Sequence, residues 1–337
     1  MVSIKDIARA ARVSHSTVSR ALRNSPLVNA ETRALVHKIA EQQGYTVSAA
    51  ARSLVTRRTN TLGVVVTSIA NPFAGEVIAG IEETALAHGY SILLSTSHAD
   101  PNREVRAVQS LQEHRVDGIL VNSSRVGRLY IPMLAEMHIP IVLINNEHPG
   151  EFIHSVTIDN HQAGRDATRH LMDLGHRRIA YVGNRFGLQA DTDRFSGYRQ
   201  IVEEADLGFE PELVVHGDGG AEAGMKAAAS LLNLPERPTA VFCYNDMQAL
   251  GVLRAAREKG LNVPRDLSVV GLDDLYLSSY TDPPLTTIQQ PKQEMGRLAV
   301  QILLQLLSGG KPDSRITLTG KLVVRQSTAA SSPSRGR

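Results

Sequence analysis

Cysteine is almost absent from this sequence, and features of several common protein classes are missing with it. The chain of 337 residues holds one cysteine, Cys243, which excludes an internal disulfide framework and a cysteine-rich metal site. No apolar run approaches the roughly 20 residues of a membrane-spanning helix. The N-terminus lacks the apolar segment of a signal peptide. Because 42% of the residues are hydrophobic and 21% are charged, we expect a packed core and a cytoplasmic location.

Motifs of the common enzyme classes are missing too. The sequence contains no P-loop, no Gly-x-Ser-x-Gly elbow and no His-Glu-x-x-His metal motif. Its 12 histidines are scattered, so a lone residue such as His170 or His176 is better explained as a surface or core side chain than as a ligand. We expect no enzymatic activity, no cofactor and no metal.

A glycine-rich segment offers the best case for an enzyme. Gly217-x-Gly219-Gly220-x-x-x-Gly224 follows a predicted strand and opens a predicted helix, as a dinucleotide-binding loop does. The spacing is not G-x-G-x-x-G, however, and no acidic residue ends the next strand at the required distance. Chance glycines at a strand-to-helix turn explain the segment better.

Positive charge is concentrated at the N-terminal end. The net charge is only +2, yet residues 1–60 contain ten Lys and Arg against three Asp and Glu, a net of +7, and the remainder carries −5. An ordinary solvated charged face is the alternative explanation of this distribution. A basic head on an acidic body is nevertheless typical of a protein that binds a polyanion, and the split favours nucleic acid.

The start of this basic region predicts two short helices with a tight break between them. Apolar residues recur at helical spacing from Ile4 to Ala11. Ser14 is a natural cap for the second helix, whose buried face would be formed by Val18, Ala21 and Leu22. Its other face carries small polar side chains and a cation, namely His15, Ser16, Ser19 and Arg20. A helix of this kind suits the major groove of DNA, so we predict a helix-turn-helix.

A third helix and an alanine-rich segment follow. Asn29 is expected to cap a helix over about residues 30–43 that Gly44 ends, with Ala34, Leu35, Ile39 and Ala40 facing inward. Residues 48–55 are helix-capable but too short to be stable alone. Within them Leu54 lies among arginines, which fits a wedge in the minor groove of DNA. Leu54 could equally pack on the body of the protein, and this stretch alone does not decide between the two.

From Thr61 onward, buried strands alternate with amphipathic helices, which predicts βαβ units and doubly wound sheets. The segments at 145–160 and 281–291 are interpreted as crossovers between two such sheets. The tail from Ser327 onward has nothing to bury and is expected to be disordered. Strands are predicted near 62–67, 91–96, 118–121, 140–144, 154–158, 179–183, 212–216, 239–243, 267–271, 315–318 and 321–325. Helices are predicted near 73–88, 102–114, 128–137, 160–174, 194–206, 221–233, 245–259 and 292–307.

An ordered series of motifs resembles the lac-repressor (LacI/GalR) family of bacterial transcription regulators over about residues 2–327. In the head these are Ile4-Lys5-Asp6-Ile7-Ala8, Val13-Ser14-x-x-Thr17-Val18-Ser19-Arg20-Ala21-Leu22 and Ala50-Ala51-Arg52-Ser53-Leu54. In the body they are Asn71-Pro72-Phe73, Val116-Asp117-Gly118-Ile119, Ile158-Asp159-Asn160, Leu174-Gly175-His176-Arg177-Arg178-Ile179, Asn245-Asp246, Val270-Gly271-x-Asp273-Asp274 and Leu285-Thr286-Thr287-Ile288.

This resemblance implies a domain organisation. Residues 1–46 would form the helix-turn-helix DNA-binding domain and residues 47–60 a hinge helix and linker. Residues 61–327 would form an effector-binding and dimerisation domain of two α/β lobes, like periplasmic binding proteins. Residues 328–337 would remain as a disordered tail.

The resemblance also implies roles for individual residues. His15, Ser16 and Arg20 occupy positions that read bases, and Leu54 matches a leucine that intercalates in the minor groove at the operator centre. Together with neighbouring polar and cationic side chains, the predicted DNA-binding set is His15, Ser16, Thr17, Ser19, Arg20, Arg52 and Leu54.

A second set would bind the effector between the lobes. It consists of Phe73, Asn145, Asn146, Arg194, Asn245, Asp273 and Gln290, and Asn145, Asn245 and Asp273 each follow a predicted strand, where open α/β sheets bind ligands. Amides, a carboxylate and a guanidinium can hydrogen-bond a polyhydroxylated ligand. Structural alternatives remain: Phe73 could staple its helix, Asp273 could be a buried partner of Arg194, and Asn245 could be a helix cap.

The sequence departs from the family pattern in three places. Arg12 stands before the recognition helix where glycine is common, so a left-handed conformation there would cost about 1 kcal/mol. Gly219 replaces a large aromatic residue of several relatives, which weakens purine or allolactose as the ligand. The tail has no leucine heptad of the kind that joins dimers into tetramers, so we expect a homodimer.

The resulting hypothesis is a repressor that binds a pseudo-palindromic duplex and responds to a small molecule, by resemblance a sugar or sugar derivative. The alternative is a periplasmic-type sugar-binding protein without a role on DNA, which would need a signal peptide and would lack the basic head.

Overall fold

The computed structural model describes residues 2–22, 24–45, 58–126, 139–146, 154–313 and 315–331. Contacts divide the chain into two compact units, Met1–Thr59 and Asn60–Arg337. The predicted helix at 128–137 and the predicted hinge helix, with Arg52 and Leu54, lie outside the described residues. Within the described ranges, no helix has the length and apolar character needed to cross a bilayer.

The N-terminal unit contains three helices, α1 (Ile4–Ala11), α2 (His15–Ala21) and α3 (Ala30–Gln42). Both predicted caps are confirmed: Ser14 Oγ accepts a hydrogen bond from Thr17 N at 3.1 Å, and Asn29 Oδ1 accepts one from Thr32 N at 2.8 Å. Each cap satisfies an otherwise unpaired amide of the first helical turn, so the two helices begin where the sequence indicates.

The break between α1 and α2 turns on Arg12. Its φ of 54° and ψ of 40° place it in the left-handed region, the conformation that is considered for this position from the sequence. Its backbone N–H bonds the carbonyls of Ala8 and Arg9, so the chain ends α1 there despite the side chain.

The core of this unit corrects one prediction. Ile7, Val18 and Val36 are completely buried, but Leu35 is 45% exposed and Ala34 is exposed as well. Val36, which was not predicted, lies on the buried side of α3 four residues before Ala40. The prediction is therefore confirmed for Ile39 and Ala40, which pack in this core, and wrong for Ala34 and Leu35.

The second unit is α/β, as predicted. Its strands are β1 (Thr61–Val66), β2 (Ser91–Thr96), β3 (Gly118–Asn122), β4 (Ile141–Ile144), β5 (Ser155–Ile158), β6 (Ile179–Asn184), β7 (Val214–Gly217), β8 (Ala240–Cys243), β9 (Ser268–Asp273), β10 (Thr286–Gln289), β11 (Arg315–Leu318) and β12 (Lys321–Val323). Its α-helices are α4 (Pro72–Ala87), α5 (Pro101–Glu113), α6 (Asn160–Asp173), α7 (Gln189–Glu204), α8 (Ala221–Leu231), α9 (Asp246–Glu258) and α10 (Lys292–Leu307), with short 3-10 helices at Pro211–Leu213 and Tyr276–Ser279.

These strands form two six-stranded sheets. The first has the order β11-β5-β4-β3-β1-β2 and the second the order β12-β10-β9-β8-β6-β7. Every strand pair is parallel except β10 with β12. Each sheet with its helices makes one lobe, and buried apolar strands fill both.

The chain passes between the lobes three times. The first passage comes at Asp159, at the end of the predicted segment 145–160, because β4 and β5 still pair within the first sheet. The second follows β10, after which α10 packs on α4 in the first lobe. The third lies between β11 and β12 and was not predicted. The sequence predicts only a crossover at 281–291, but this segment also contains β10, a strand of the second sheet.

The predicted disorder of the tail is wrong for residues 327–331. Ser327 is fully buried, and its Oγ donates to Val269 O at 2.6 Å and accepts from Thr286 N at 2.8 Å. Farther on, Ser331 N donates to Leu174 O at 2.8 Å. Hydrogen bonds to the second lobe, rather than apolar burial, hold this segment.

Candidate functional site

The outward face of α2 carries the predicted base-reading residues. His15, Ser16 and Arg20 are exposed, whereas Thr17 and Ser19 are half-buried. The Ser14 hydroxyl lies 2.7 Å from Ser16 Oγ and 2.8 Å from Thr17 Oγ1. These contacts fix the first turn, where a recognition helix presents its side chains to base edges.

The two lobes of the second unit meet at the carboxyl ends of their strands, and we refer to the boundary between these ends as the cleft. Arg125, just after β3 of the first lobe, lies with its guanidinium carbon 4.5 Å from the ring centre of Phe186, which follows β6 of the second lobe. Since both residues follow carboxyl ends of strands, those ends face each other across the cleft. This is the location at which α/β sheets bind ligands.

Asp273 is the buried carboxylate of this cleft, at the end of β9. Its Oδ1 accepts a hydrogen bond from Gln290 Nε2 at 2.7 Å. Burial raises the pKa of Asp273 to about 7; Arg194 and Lys292 oppose this shift, and Asp246 adds to it. The Asp273 carboxyl group therefore titrates near neutral pH, and hydrogen bonds from hydroxyl groups of a ligand would stabilise its ionised form.

Arg194 reaches the same region from α7 and is itself buried. Its Nε donates to Asn160 Oδ1 at 2.9 Å and its Nη1 to Tyr244 O at 2.6 Å. The guanidinium carbon lies 4.6 Å from the centre of the Tyr244 ring. Arg194 thus acts on Asp273 electrostatically while these bonds hold it against the wall of the second lobe.

Two predicted site residues have structural roles that the sequence had left open. Asn245 caps α9, since its Oδ1 accepts from Gln248 N at 2.9 Å, and its Nδ2 donates to Gly219 O at 3.0 Å. Phe73 lies in the first turn of α4 and is buried in the core of the first lobe. Both follow the carboxyl end of a strand, and the contacts that the structure gives them are structural ones.

Asn145 and Asn146 follow β4 on the opposite lobe. Asn145 is buried and adopts a left-handed φ of 48°, a conformation that asparagine tolerates better than most residues. Its Oδ1 accepts from Thr157 Oγ1 at 3.5 Å, and Asn146 is half-buried. The first lobe therefore contributes amides to the cleft.

Asn122, at the end of β3, was missed. It is 2% exposed, and neither Nδ2 nor Oδ1 has a hydrogen-bond partner among the residues that the structure describes. An unpaired buried amide is costly, so this side chain is a candidate to bind the ligand. The signal was in the sequence, because Asn122 ends a buried strand just as Asn145 follows one.

Aromatic side chains at the cleft were also missed. Phe186 and Tyr244 lie on the second lobe, where Gly219, with a φ of 91°, had suggested the absence of a ring. Both follow predicted strands, but nothing local indicated that the Phe186 ring would contact Arg125 of the first lobe or that Tyr244 would be buried beside Leu188 and Ala190.

The glycines of the dinucleotide-like segment are explained by packing. A side chain at Gly224 would collide with the backbone of Gln248, and one at Gly217 with the Gln248 side chain. These glycines allow α8 and β7 to approach α9 closely, as the structural interpretation of the segment requires.

Similar proteins agree with both parts of this architecture. A model of bacterial regulatory proteins of the lacI family matches residues 3–48, and a model of a periplasmic binding protein-like domain matches residues 168–328. The HTH-type transcriptional repressor CytR of Escherichia coli (strain K12) is 37% identical over 330 residues, 97% of this chain and 96% of CytR.

Solved structures give the same result. The lac repressor dimer bound to operator and the anti-inducer ONPF matches with a TM-score of 0.89 and 30% identity, over 98% of this chain and 99% of that one. A transcriptional regulator CelR–cellobiose complex matches with a TM-score of 0.73 and 31% identity, over 97% and 100%. The chain belongs to the lacI family of bacterial regulatory proteins, which are DNA-binding transcription regulators.

Proposed function

We propose that this chain is a homodimeric repressor of a pseudo-palindromic operator, and that a sugar or sugar derivative in the cleft controls its affinity for that operator. The proposal rests on the hydrogen bond between Gln290 and Asp273 at the cleft. The same chain exposes Arg20 on its cationic N-terminal unit. Binding of effector and operator would be reciprocally coupled, typically by about 1–3 kcal/mol.

The chemistry of the cleft supports a polyhydroxylated ligand. Asp273 accepts hydrogen bonds, Asn122 and Asn145 both donate and accept, and the Phe186 side chain, which is 45% exposed, offers apolar surface to a sugar ring. Cellobiose in the CelR complex is a ligand of this class. Such recognition needs no metal or cofactor. We assign the chain a regulatory role without catalysis, and we place it in the cytoplasm, where the DNA that it binds would be.

Two exposed apolar surfaces support a homodimer formed by the second unit. On the first lobe, Leu93 and Leu94 are exposed along β2, an edge strand. On the second lobe, Tyr276 and Tyr280 are exposed with ring centres 4.8 Å apart. A two-fold pair would bury such surfaces and place two equivalent heads on two half-sites.

Duplex selection tests the proposal. The full chain, incubated with random duplexes at physiological salt, should enrich an inverted repeat, and one member of a panel including cellobiose and D-ribose should change the affinity for it. If no inverted repeat is preferred over random duplex, with or without the sugars, the repressor assignment is wrong. If a sugar binds but no DNA does, the alternative of a sugar-binding protein without a role on DNA holds.

A further inference from the structure

Lys292 contacts both lobes of the second unit, namely the backbone at Asp273 and Asp274 in the second lobe and Glu76 in the first. Its ammonium donates to Asp273 O at 2.6 Å and to Asp274 O at 2.7 Å. The same nitrogen lies 3.3 Å from Glu76 Oε2 of α4 in the first lobe. Three oxygens from two lobes thus converge on one cation, beside Gln290, which bonds the Asp273 side chain.

The position of this cation is unfavourable for a lysine. Lys292 is 4% exposed and is the first residue of α10. Burial removes hydration from the ammonium, and the N-terminal end of a helix repels positive charge. The carbonyls of Asp273 and Asp274 and the carboxylate of Glu76 must offset both effects. The ammonium is therefore held by these contacts, and losing one of them will move it.

The backbone to which Lys292 donates its hydrogen bonds is strained. Asp273 has a φ of 133° and Asp274 a φ of 51°, two consecutive left-handed conformations that non-glycine residues rarely adopt. This geometry points both carbonyls at the ammonium. The Asp274 carboxylate is fixed by Arg325 Nη2 at 2.6 Å and Gln289 Nε2 at 2.9 Å. Lys292 and these two side chains thus hold the segment that presents the ligand carboxylate.

Glu76 belongs rigidly to the first lobe. It lies one turn after Phe73 on α4, and α4 contacts α10 so closely that a side chain at Gly80 would collide with the backbone of Gln293. Glu76 and Lys292 also line an open groove of about 1020 Å³. The helices α4 and α10 therefore form one rigid part of the first lobe, and the Lys292 side chain is what reaches from this part to the second lobe.

We propose that Lys292 is a positioning residue that couples the state of the Asp273 carboxylate to the angle between the lobes. A ligand that hydrogen-bonds Asp273 shifts the strained Asp273–Asp274 backbone, and the ammonium, which Glu76 holds in place on the first lobe, passes this shift to α10 and to the α4 helix packed on it. The inference rests on the proposed function in that it describes how the cleft of that regulator would signal.

The angle between lobes can be measured in the full chain by electron–electron double resonance. Spin labels introduced at Glu113→Cys and Glu236→Cys would report it, since both positions are exposed on different lobes and Cys243 is buried. The Glu76→Gln change breaks the ion pair alone. Glu294→Gln is the matched control, because Glu294 pairs with Arg297 of its own helix on the same groove. We expect the distance distribution to widen in the Glu76→Gln variant and to remain unchanged in the Glu294→Gln variant.

Coupling is tested by a double-mutant cycle that needs no ligand. Asp273→Asn removes the carboxylate charge and should shift the distance distribution in the otherwise unaltered chain. Together with Glu76→Gln it should produce no further shift, because the ammonium is no longer held in the position from which it follows the Asp273–Asp274 backbone. Lys292→Met should reproduce the Glu76→Gln distribution and in addition speed hydrogen exchange at the Asp274 and Leu275 amides.

Two results would overturn the inference. One is a Glu76→Gln distribution that matches the Glu294→Gln control. The other is an Asp273→Asn shift of equal size with and without Glu76→Gln. A chain that never responds to sugars would refute the proposed function instead, and the distance measurements would still decide whether Lys292 links Asp273 to the first lobe.

Discussion

Gln290 donates a hydrogen bond to Asp273 at 2.7 Å, and both side chains are buried where the chain leaves the second lobe. The remaining oxygen of the Gln290 amide has no partner in the described part of the chain. The pair thus offers a carboxylate and an unsatisfied acceptor side by side, which two adjacent hydroxyls of a ligand could bond.

Asp273→Asn should change how stability depends on pH. Burial raises the pKa of Asp273 from 3.8 to about 7, so the favourable contribution of the neutral acid is complete below pH 4 and is lost as pH rises through about 7. Urea unfolding at pH 8 should find the variant more stable than the unaltered chain, by on the order of 2–4 kcal/mol, with little difference at pH 4.

The control for this experiment is Asp266→Asn. Hydrogen bonds from the Asn262 backbone and the Arg265 side chain lower the pKa of Asp266 to about 2, so this residue is ionised from pH 4 to pH 8. Its replacement should leave the slope of stability over that range unchanged. If Asp273→Asn behaves the same way, Asp273 is not the buried acid described above.

Asn122→Leu should affect stability and ligand binding in opposite directions. The amide is buried without a partner among the described residues, which costs about 1–3 kcal/mol, and leucine has a similar size. The melting temperature should rise, whereas the affinity for whichever sugar stabilises the unaltered chain should fall at least about tenfold, or 1.4 kcal/mol. A drop in melting temperature would mean that the amide is already satisfied.

Arg20→Ala should weaken operator binding more than binding to random duplex. An arginine that reads a guanine edge contributes about 1–3 kcal/mol of discrimination, and Arg20 is exposed on the polar face of α2. Competition binding at fixed salt measures the ratio. Lys38→Ala, at an exposed position of α3, should reduce both affinities slightly and equally. An equal loss for Arg20→Ala would mark Arg20 as a phosphate contact.

Local features of the structure could be predicted from the sequence, and long-range ones could not. Ser14 and Asn29 were assigned as caps because a cap depends on residues three positions away. The strand Thr286–Gln289 was missed because it is short and lies between prolines, and only pairing with β9 and β12 makes it a strand.

The same distinction holds in the cleft. Position after a strand was enough to propose Asn145, Asn245 and Asp273. It did not indicate that Gln290 would bond Asp273 or that Lys292 would hold its carbonyl, since those contacts depend on how the chain passes between the lobes. The buried tail at Ser327 escaped prediction for that reason as well.

Ser327→Ala should therefore destabilise the second unit. The Ser327 hydroxyl bonds Thr286 N and Val269 O, and its loss leaves a buried amide and a buried carbonyl unpaired, at a cost of about 1–3 kcal/mol. Urea unfolding measures the change. Ser230→Ala, at an exposed position on α8, should cost less than about 0.5 kcal/mol. Equal small effects would show that the tail does not contribute to stability.

Leu54→Ala should abolish bending of the operator and weaken specific binding. Leu54 follows a short alanine-rich segment between arginines, and a leucine inserted between base pairs unstacks them and kinks the duplex. Alanine is too small to act as the wedge, so mobility of permuted operator fragments should become independent of the site position. Val55→Ala removes apolar volume at the next position and should leave bending intact. If Leu54→Ala bends DNA normally, Leu54 packs against protein, and the head binds through α2 and charge alone.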